Sequence, residues 1–139
     1  MKKILSMFVV SILVLAGCGN GSASGKNVVT SLSEPVEIEF WHGLSGGIEA
    51  QLKKMTDKFN KDSEFITVKL VNQGTYTDLN QKLTAASSGG NLPALAMGYM
   101  DTLSPFVLDG KVADLNDYLN NKEIGIDEKN YFEPFLWII

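Results

Sequence analysis

Three side chains that could contact a small polar ligand follow a short alternating apolar segment: Trp41, His42 and Ser45. Apolar residues occupy every second position over 36–40, which predicts a β-strand, and the glycines of 43–47 permit a sharp turn. Because ligands of open parallel sheets lie beyond the carboxyl ends of the strands, these side chains are placed to contact a solute. An indole ring offers a stacking surface, and imidazole and hydroxyl groups form hydrogen bonds.

A catalytic interpretation of the same residues is possible. His42 is the only histidine, and Ser45 and Asp101 could serve as its nucleophile and orienting acid. Such combinations on neighbouring loops are common by chance, and the chain has no H-E-x-x-H metalloprotease motif. Glu37 and Glu39 alternate within the strand, which favours a solvated strand over a catalytic carboxylate pair. We therefore expect His42 to form a hydrogen bond with a solute hydroxyl or to hold the loop, and not to act in catalysis. Trp41 is equally well explained as an apolar cap on the sheet.

The start of the chain has the pattern of a bacterial lipoprotein signal peptide. Two lysines precede an apolar-rich run over 4–15, and residues 15–18 read Leu-Ala-Gly-Cys. We predict that residues 1–17 are removed and that Cys18 is diacylated, since the run is shorter than the roughly 20 residues of a membrane-spanning helix. Residues 18–33 would be the lipidated cysteine and a flexible tether. The protein would then be lipid-anchored on the extracytoplasmic face of the cell membrane.

Composition limits the classes of partner. The 139 residues are 45% hydrophobic and 20% charged, which is typical of one globular domain. Every one of the 12 basic residues is lysine, and they face 16 acidic residues, so the net charge is −4. Without residues 1–17 it is −6, because 10 lysines remain. This balance predicts no binding to nucleic acid. A single cysteine cannot form an internal disulfide or a metal cluster. We also expect no metal and no cofactor.

Three apolar segments are spaced like the strands of consecutive βαβ units. They begin at Val36, Ile66 and Ala94, which are 30 and 28 residues apart. The order β-α-β-α-β with right-handed crossovers follows. The segment 94–99 is apolar on both faces, which predicts the most interior strand of the sheet.

Two amphipathic helices are expected between these strands. The first extends from Ile48 to about Asn60, and its apolar face comprises Ile48, Leu52, Met55 and Phe59. The second begins at Thr75, which forms a capping box with Asp78, and stops at the Ser-Ser-Gly-Gly sequence of 87–90.

Shorter helices follow the third strand. One is predicted to start at Ser104-Pro105 with the proline at its first position and to end at Asp109-Gly110. Asp114 and Asp127 each begin a further helical segment, and Pro134 is expected to interrupt the last one.

Four short strings resemble the extracellular solute-binding lipoproteins of ABC importers, in particular the branch that binds sugars and glycerol-3-phosphate. The resemblance covers roughly residues 34–136. The strings that carry it are Phe40-Trp41-His42, Asp57-Lys58-Phe59-Asn60, Gly74-Thr75-Tyr76 and Gly90-Asn91-Leu92-Pro93-Ala94. No single string is specific for this family, but the four strings in this order and spacing, after a lipoprotein signal peptide, are specific for it.

The resemblance implies a type II periplasmic-binding-protein fold, α/β in class, of which residues 34–139 form an incomplete N-terminal lobe. It implies a carrier that captures a sugar, polyol or glycerol-phosphate-type solute and delivers it to a membrane permease. Tyr76 matches a ligand-contacting tyrosine of the glycerol-3-phosphate-binding members, and Trp41, His42, Ser45 and Gly46 line the same cleft. Those members have a ligand-binding glutamate where this chain has Met100, with Asp101 one position later, so these two residues complete the predicted site.

Length separates the chain from this family. Members of the family are around three times longer, so we expect a truncated chain that folds poorly and binds no solute by itself. Two other functions stay open at this stage, a secreted hydrolase and a surface lipoprotein with an adhesive or structural role.

Overall fold

A computed structural model describes residues 28–125. Within this range a three-stranded parallel sheet alternates with helices. The elements are β1 (Val36–His42), α1 (Gly46–Asp62), β2 (Ile66–Asn72), α2 (Tyr76–Gly89), β3 (Leu95–Ala96), α3 (Met100–Leu108) and α4 (Asn116–Leu119). This is the predicted β-α-β-α-β order, and the α/β class is confirmed.

The central strand is β1. It pairs in register with all of β2, from Val36 opposite Ile66 to His42 opposite Asn72, and with β3 on its other side. Alternate β1 side chains face opposite layers. Ile38 and Phe40 face α1, whereas Trp41 packs against the buried cluster formed by α2 and α3. The described part of the chain is therefore a sheet with helices on both faces.

The core on the α2 side is small. Leu79, Leu83 and Phe106 are buried, and five half-buried side chains pack around them: Trp41, Tyr76, Leu92, Met97 and Leu103. Leu79 and Leu83 are four residues apart, so both lie on the inner side of α2.

The prediction that 94–99 is the most interior strand is wrong. The strand contains only Leu95 and Ala96, both exposed, and it lies at the outside of the sheet order β2-β1-β3. An apolar composition indicates that a segment tends to be buried, but it does not indicate which position the segment takes in the order of strands. Here β1 takes the central position because both later strands pair with it.

The first helix is longer than predicted and its apolar face is covered only in part. Ile48 and Met55 are 67% and 69% exposed, and Thr56 is buried instead. The helix therefore turns Thr56, and not Met55, toward the interior. The side chain of Asn60 helps to hold α1 in this orientation. Its side-chain amide donates to the carbonyl of Val68 (2.9 Å) and accepts from the N–H of Val68 (2.8 Å), which turns this side of α1 toward β2.

The third helix begins five residues before Pro105, the predicted first helical residue. It starts at Met100, and Pro105 lies inside it. The carbonyl of Tyr99 accepts the N–H groups of Thr102 and Leu103, so the first turn closes before the proline. The predicted end is confirmed, with Gly110 at φ 64° after the last turn.

The short α4 lies where a helical start at Asp114 is predicted, and the Asp114 carboxylate accepts the N–H of Asn116 (2.9 Å). The predicted signal peptide, Cys18, the segment beginning at Asp127 and Pro134 lie outside the described residues. Within 28–125, no helix has the length and apolar character needed to cross a membrane.

Candidate functional site

The carboxyl edge of the sheet is where three strand-to-helix junctions meet. Ser45, Thr75 and Tyr99 are the N-caps of α1, α2 and α3, which follow β1, β2 and β3 in turn. Because the strands are parallel, all three helices begin at the same edge and direct their free N–H groups toward it. This edge is the candidate site, and Trp41, Ser45, Gly46, Tyr76, Met100 and Asp101 all belong to it by their position in the chain.

The start of α2 is held by the predicted capping box. The Asp78 carboxylate accepts the backbone N–H and the hydroxyl of Thr75, both at 2.8 Å, and the Thr75 hydroxyl accepts the N–H of Asp78 (3.2 Å). The backbone N–H of Thr75, followed by its hydroxyl, holds the pKa of Asp78 below its ordinary value of 3.8. Tyr76, the next residue, is thereby fixed in the first turn of α2.

Two tyrosines form the aromatic part of the edge. The rings of Tyr76 and Tyr99 stack with their centroids 4.7 Å apart and 30° between their planes. Beside them is an open cavity of about 150 Å³, lined by both tyrosines, Thr77, Asn80 and Thr102 together with apolar side chains of α2 and α3. Tyr99 is 58% exposed, so the pair has an accessible surface.

Tyr99 is the residue that the sequence prediction missed. The available signal was positional, since an aromatic residue at the end of the third apolar segment corresponds to Trp41 at the end of the first. Next to it, Met100 is 76% exposed, and the carboxylate of Asp101 accepts the N–H of Thr102 (2.9 Å). Asp101 is therefore on the surface at the first turn of α3.

Trp41 lies on the same face of the sheet as α2 and is tied to the sheet surface. Its indole Nε1–H donates to the carboxylate of Glu39 (2.9 Å), which also accepts from the Nζ of Lys69 (3.0 Å). The indole N–H, followed by Lys69, lowers the pKa of Glu39, and Glu39 in turn raises the pKa of Lys69. Part of the ring packs against the core, and the ring is half-buried.

His42 lies on the opposite face of the sheet from Trp41. It is 2% exposed, and it lines a polar cavity under α1 together with Glu49, Lys53, Thr56 and other residues. Its Nδ1 accepts the N–H of Leu44 (3.3 Å). The structure therefore does not bring His42 together with the tyrosine pair, because successive residues of a strand point to opposite faces.

The turn between β1 and α1 has the spacing G-x-S-x-G of a hydrolase nucleophile turn, with Ser45 at its centre. That motif depends on a strained serine backbone, whereas Ser45 is extended, with φ −141° and ψ 165°. The positive φ of 62° belongs to Gly46. Ser45 is exposed, while His42 is buried under α1 and bonded to Leu44. The arrangement is that of a helix start and not of a catalytic pair.

Gly43 brings this turn into direct contact with the start of α2. A Cβ atom at Gly43 would lie 2.9 Å from the backbone nitrogen of Tyr76 and 3.0 Å from the carbonyl carbon of Thr75. Only glycine allows this approach, because the neighbouring atoms are backbone and cannot move aside as a side chain could. Within residues 28–125, no group of His, Cys, Asp and Glu is arranged to hold a metal ion.

The sequence pattern of a known family extends over more than half of the chain. The family is described as Bacterial extracellular solute-binding protein, and the match covers residues 54–137. The chain belongs to this family. The matched segment, residues 54–137, includes the start of α2, with Tyr76, and the start of α3, with Tyr99. Members of the family are binding proteins, and the family's location is extracytoplasmic.

The relatives of this chain include proteins named for two kinds of solute. The sn-glycerol-3-phosphate-binding periplasmic protein UgpB of Pectobacterium atrosepticum is 24% identical over 92 residues, which are 66% of this chain and 21% of that protein. The maltose/maltodextrin-binding domain MalE of Bdellovibrio bacteriovorus, solved with maltotriose, has a TM-score of 0.59 at 30% identity and matches 72% of this chain. The cyclic alpha-maltosyl-1,6-maltose binding protein of Arthrobacter globiformis has a TM-score of 0.55 at 27% identity and matches 63% of this chain.

These likenesses confirm the periplasmic-binding-protein type of fold for this chain. The chain spans only a part of each relative, namely 21% of UgpB, 24% of MalE and 22% of the Arthrobacter protein.

Proposed function

We propose that this chain is part of the solute-binding component of an ABC importer, and that it supplies one wall of a cleft for a sugar or polyol. It captures the solute outside the cell membrane and delivers it to a membrane permease. It works as a carrier without catalysis.

The observation that carries this proposal is the stacked pair of Tyr76 and Tyr99 at the carboxyl edge of the sheet. Aromatic faces with phenolic hydroxyl groups suit sugars, because the ring packs on C–H groups and the hydroxyl exchanges hydrogen bonds with solute hydroxyls. Trp41, Ser45, Gly46, Met100 and Asp101 belong to the same edge and are proposed as further contacts. His42 is proposed to hold the β1–α1 turn, since it is buried on the other face.

The chemistry of the edge favours a neutral solute over a phosphate. Among the described residues that line the cavity beside the tyrosines there is no lysine. The nearest lysine along α2, Lys82, donates to the carbonyl of Gln73 (2.9 Å), and the carboxylate of Asp101 lies exposed at the start of α3. An anion would therefore receive helix N–H groups from this wall but no side-chain cation.

A lipid anchor is part of the proposal. Residues 1–17 are a signal peptide, Cys18 carries the acyl chains, and 18–33 link the anchor to the folded part. Each buried CH₂ group contributes about 0.8 kcal/mol, so two or three chains hold a protein on a membrane. Mass spectrometry of the mature N-terminus tests this. A Cys18→Ala protein should appear in the soluble fraction, and its continued fractionation with membranes would contradict the anchor.

Calorimetry against a solute panel tests the binding function. The panel contains maltotriose, maltose, glycerol and sn-glycerol-3-phosphate, added to a full-length version of this protein in which both walls of the cleft are present. We expect heat of binding with a neutral member and weaker or no binding of the phosphate ester. Tightest binding of sn-glycerol-3-phosphate would overturn the assignment of a neutral solute, and no binding by any member would overturn the sugar or polyol class.

A further inference from the structure

The side chain of Asn72 joins the two segments that carry the candidate site. Asn72 is the last residue of β2 and lies opposite His42 in the sheet. Its Nδ2 donates to the carbonyl of Leu44 (2.9 Å) and to the carboxylate of Glu49 (2.6 Å). Its Oδ1 accepts the N–H of Gly74 (2.8 Å). Two acceptors and one donor surround the amide, so they fix its orientation and use both of its N–H groups.

The three partners of Asn72 are placed immediately beside the N-caps. Leu44 directly precedes Ser45, the N-cap of α1, and Glu49 is in the first turn of that helix. Gly74 directly precedes Thr75, the N-cap of α2. One amide therefore fixes the start of α1 relative to the start of α2, and so the position of Ser45 and Gly46 relative to Tyr76.

A second contact makes this junction rigid. Gly43 packs directly on the backbone of Thr75 and Tyr76, so that even a methyl group at residue 43 would collide with it. The N–H of Gln73 also donates to the carbonyl of His42 (2.8 Å), which extends the strand pairing to the last residues before the two turns. The backbone contact at Gly43 sets how closely the β1–α1 and β2–α2 turns approach each other. The hydrogen bonds of the Asn72 amide set how the two turns are aligned.

Asn72 contributes geometry more than stability. The residue is exposed, and hydrogen bonds of exposed groups add little to the free energy of unfolding because water replaces them. A binding site, in contrast, loses affinity when its contact groups are no longer held in the productive arrangement.

We propose that Asn72 is a positioning residue for solute binding, which holds the β1–α1 turn and Tyr76 in the arrangement that accepts the solute. This inference rests on the proposed function, because the positioned groups are those of the proposed solute site.

The test compares two asparagines whose side-chain amides both connect β2 with α1 or the turn before it. Asn72 does so at the carboxyl edge, and Asn60 does so at the opposite end of α1, through its two hydrogen bonds to Val68. In each position, Asn→Asp keeps the shape and removes the amide N–H donors. Asn72→Asp also places a carboxylate against Glu49.

Hydrogen exchange of the full chain gives the first measurement. We expect Asn72→Asp to speed exchange of the hydrogen-bonded amides of Leu44, Thr75 and Asp78 by about tenfold or more, which Asn60→Asp does not do. Equal exchange at these amides in the two variants would overturn the positioning role. This measurement needs no solute.

Solute affinity and unfolding of the same variants give the second measurement. With the tightest-binding sugar of the panel, we expect Asn72→Asp to weaken binding about tenfold with a small change in melting temperature. Asn60→Asp should lower the melting temperature more and leave affinity within about twofold of wild type. Wild-type affinity in Asn72→Asp would refute the inference, whereas a wild-type protein that binds no sugar would refute the proposed function and leave the exchange result to decide on Asn72.

Discussion

Tyr76 and Tyr99 stack on each other across two different strand-to-helix junctions, with their ring centroids 4.7 Å apart. Tyr76 opens α2 and Tyr99 caps α3, so the pair connects parts of the chain that meet only at the edge of the sheet. An aromatic pair in this position offers a surface for a sugar and also links the two helices that enclose the small core.

Truncation of either tyrosine should weaken solute binding. We expect Tyr76→Ala and Tyr99→Ala each to reduce affinity for the tightest-binding sugar about tenfold, because each removes part of the stacking surface. Phenylalanine at either position should retain more affinity than alanine, since the ring remains. Calorimetry measures the change. Tyr118→Ala, on α4, is the control, and an equal loss in this variant would contradict a specific role for the pair.

Addition of one methyl group at Gly43 should separate the two turns. In Gly43→Ala the new Cβ collides with the backbone of Thr75 and Tyr76, so we expect the free energy of unfolding to fall by about 2 kcal/mol. Denaturant unfolding followed by circular dichroism measures it. Gly47→Ala is the matched control, because nothing lies within 4 Å of its Cβ position and the residue is helical. The control should be stabilised by about 0.5 kcal/mol, and equal destabilisation of both variants would refute the contact.

The core of the described region should depend on Leu79 more than on the apolar stripe of α1. Leu79 is 1% exposed, and Leu79→Ala should lower the free energy of unfolding by about 3 kcal/mol. Ile48 is 67% exposed, so Ile48→Ala should change it by less than about 0.5 kcal/mol. Thermal unfolding of the two variants separates the cases. A larger effect at Ile48 would mean that another part of the protein covers α1.

The capping box predicts a specific pH dependence. Hydrogen bonds from Thr75 lower the pKa of Asp78 in the folded chain, so the folded state favours the ionised carboxylate. The resulting stabilisation is present above the ordinary value of 3.8 and is lost as pH falls through the lower folded pKa.

Comparison of wild type with Asp78→Asn isolates this group from the other carboxylates. The difference in stability between the two proteins should be largest near neutral pH and should shrink below pH 3.8, as unfolding curves at several pH values would measure. A difference that grows on acidification would show that Asp78 is not stabilised as a carboxylate.

Local patterns were sufficient for several features of the fold. The capping box of Thr75 and Asp78 and the glycine stop of α2 were both predicted, because each depends only on residues within one helical turn. The β-α-β-α-β order followed from the spacing of the apolar segments, and the strings around Tyr76 pointed to the family that the comparison confirms.

The sequence by itself determined which residues end strands and begin helices, and hence that Trp41, Ser45 and Tyr76 come near one edge of a parallel sheet. Only the tertiary structure decided that β1 is central and that Tyr99 stacks on Tyr76. Local choices follow from backbone conformation and capping over a few residues. Pairing order and the contact between two junctions depend on atoms far apart in the chain, such as those of Asn72 and Leu44, which are 28 residues apart. The orientation of α1 depends on Asn60 and Val68, which are 8 residues apart but belong to different elements. These contacts form only when the sheet is assembled, so the periodicity of the sequence does not predict them.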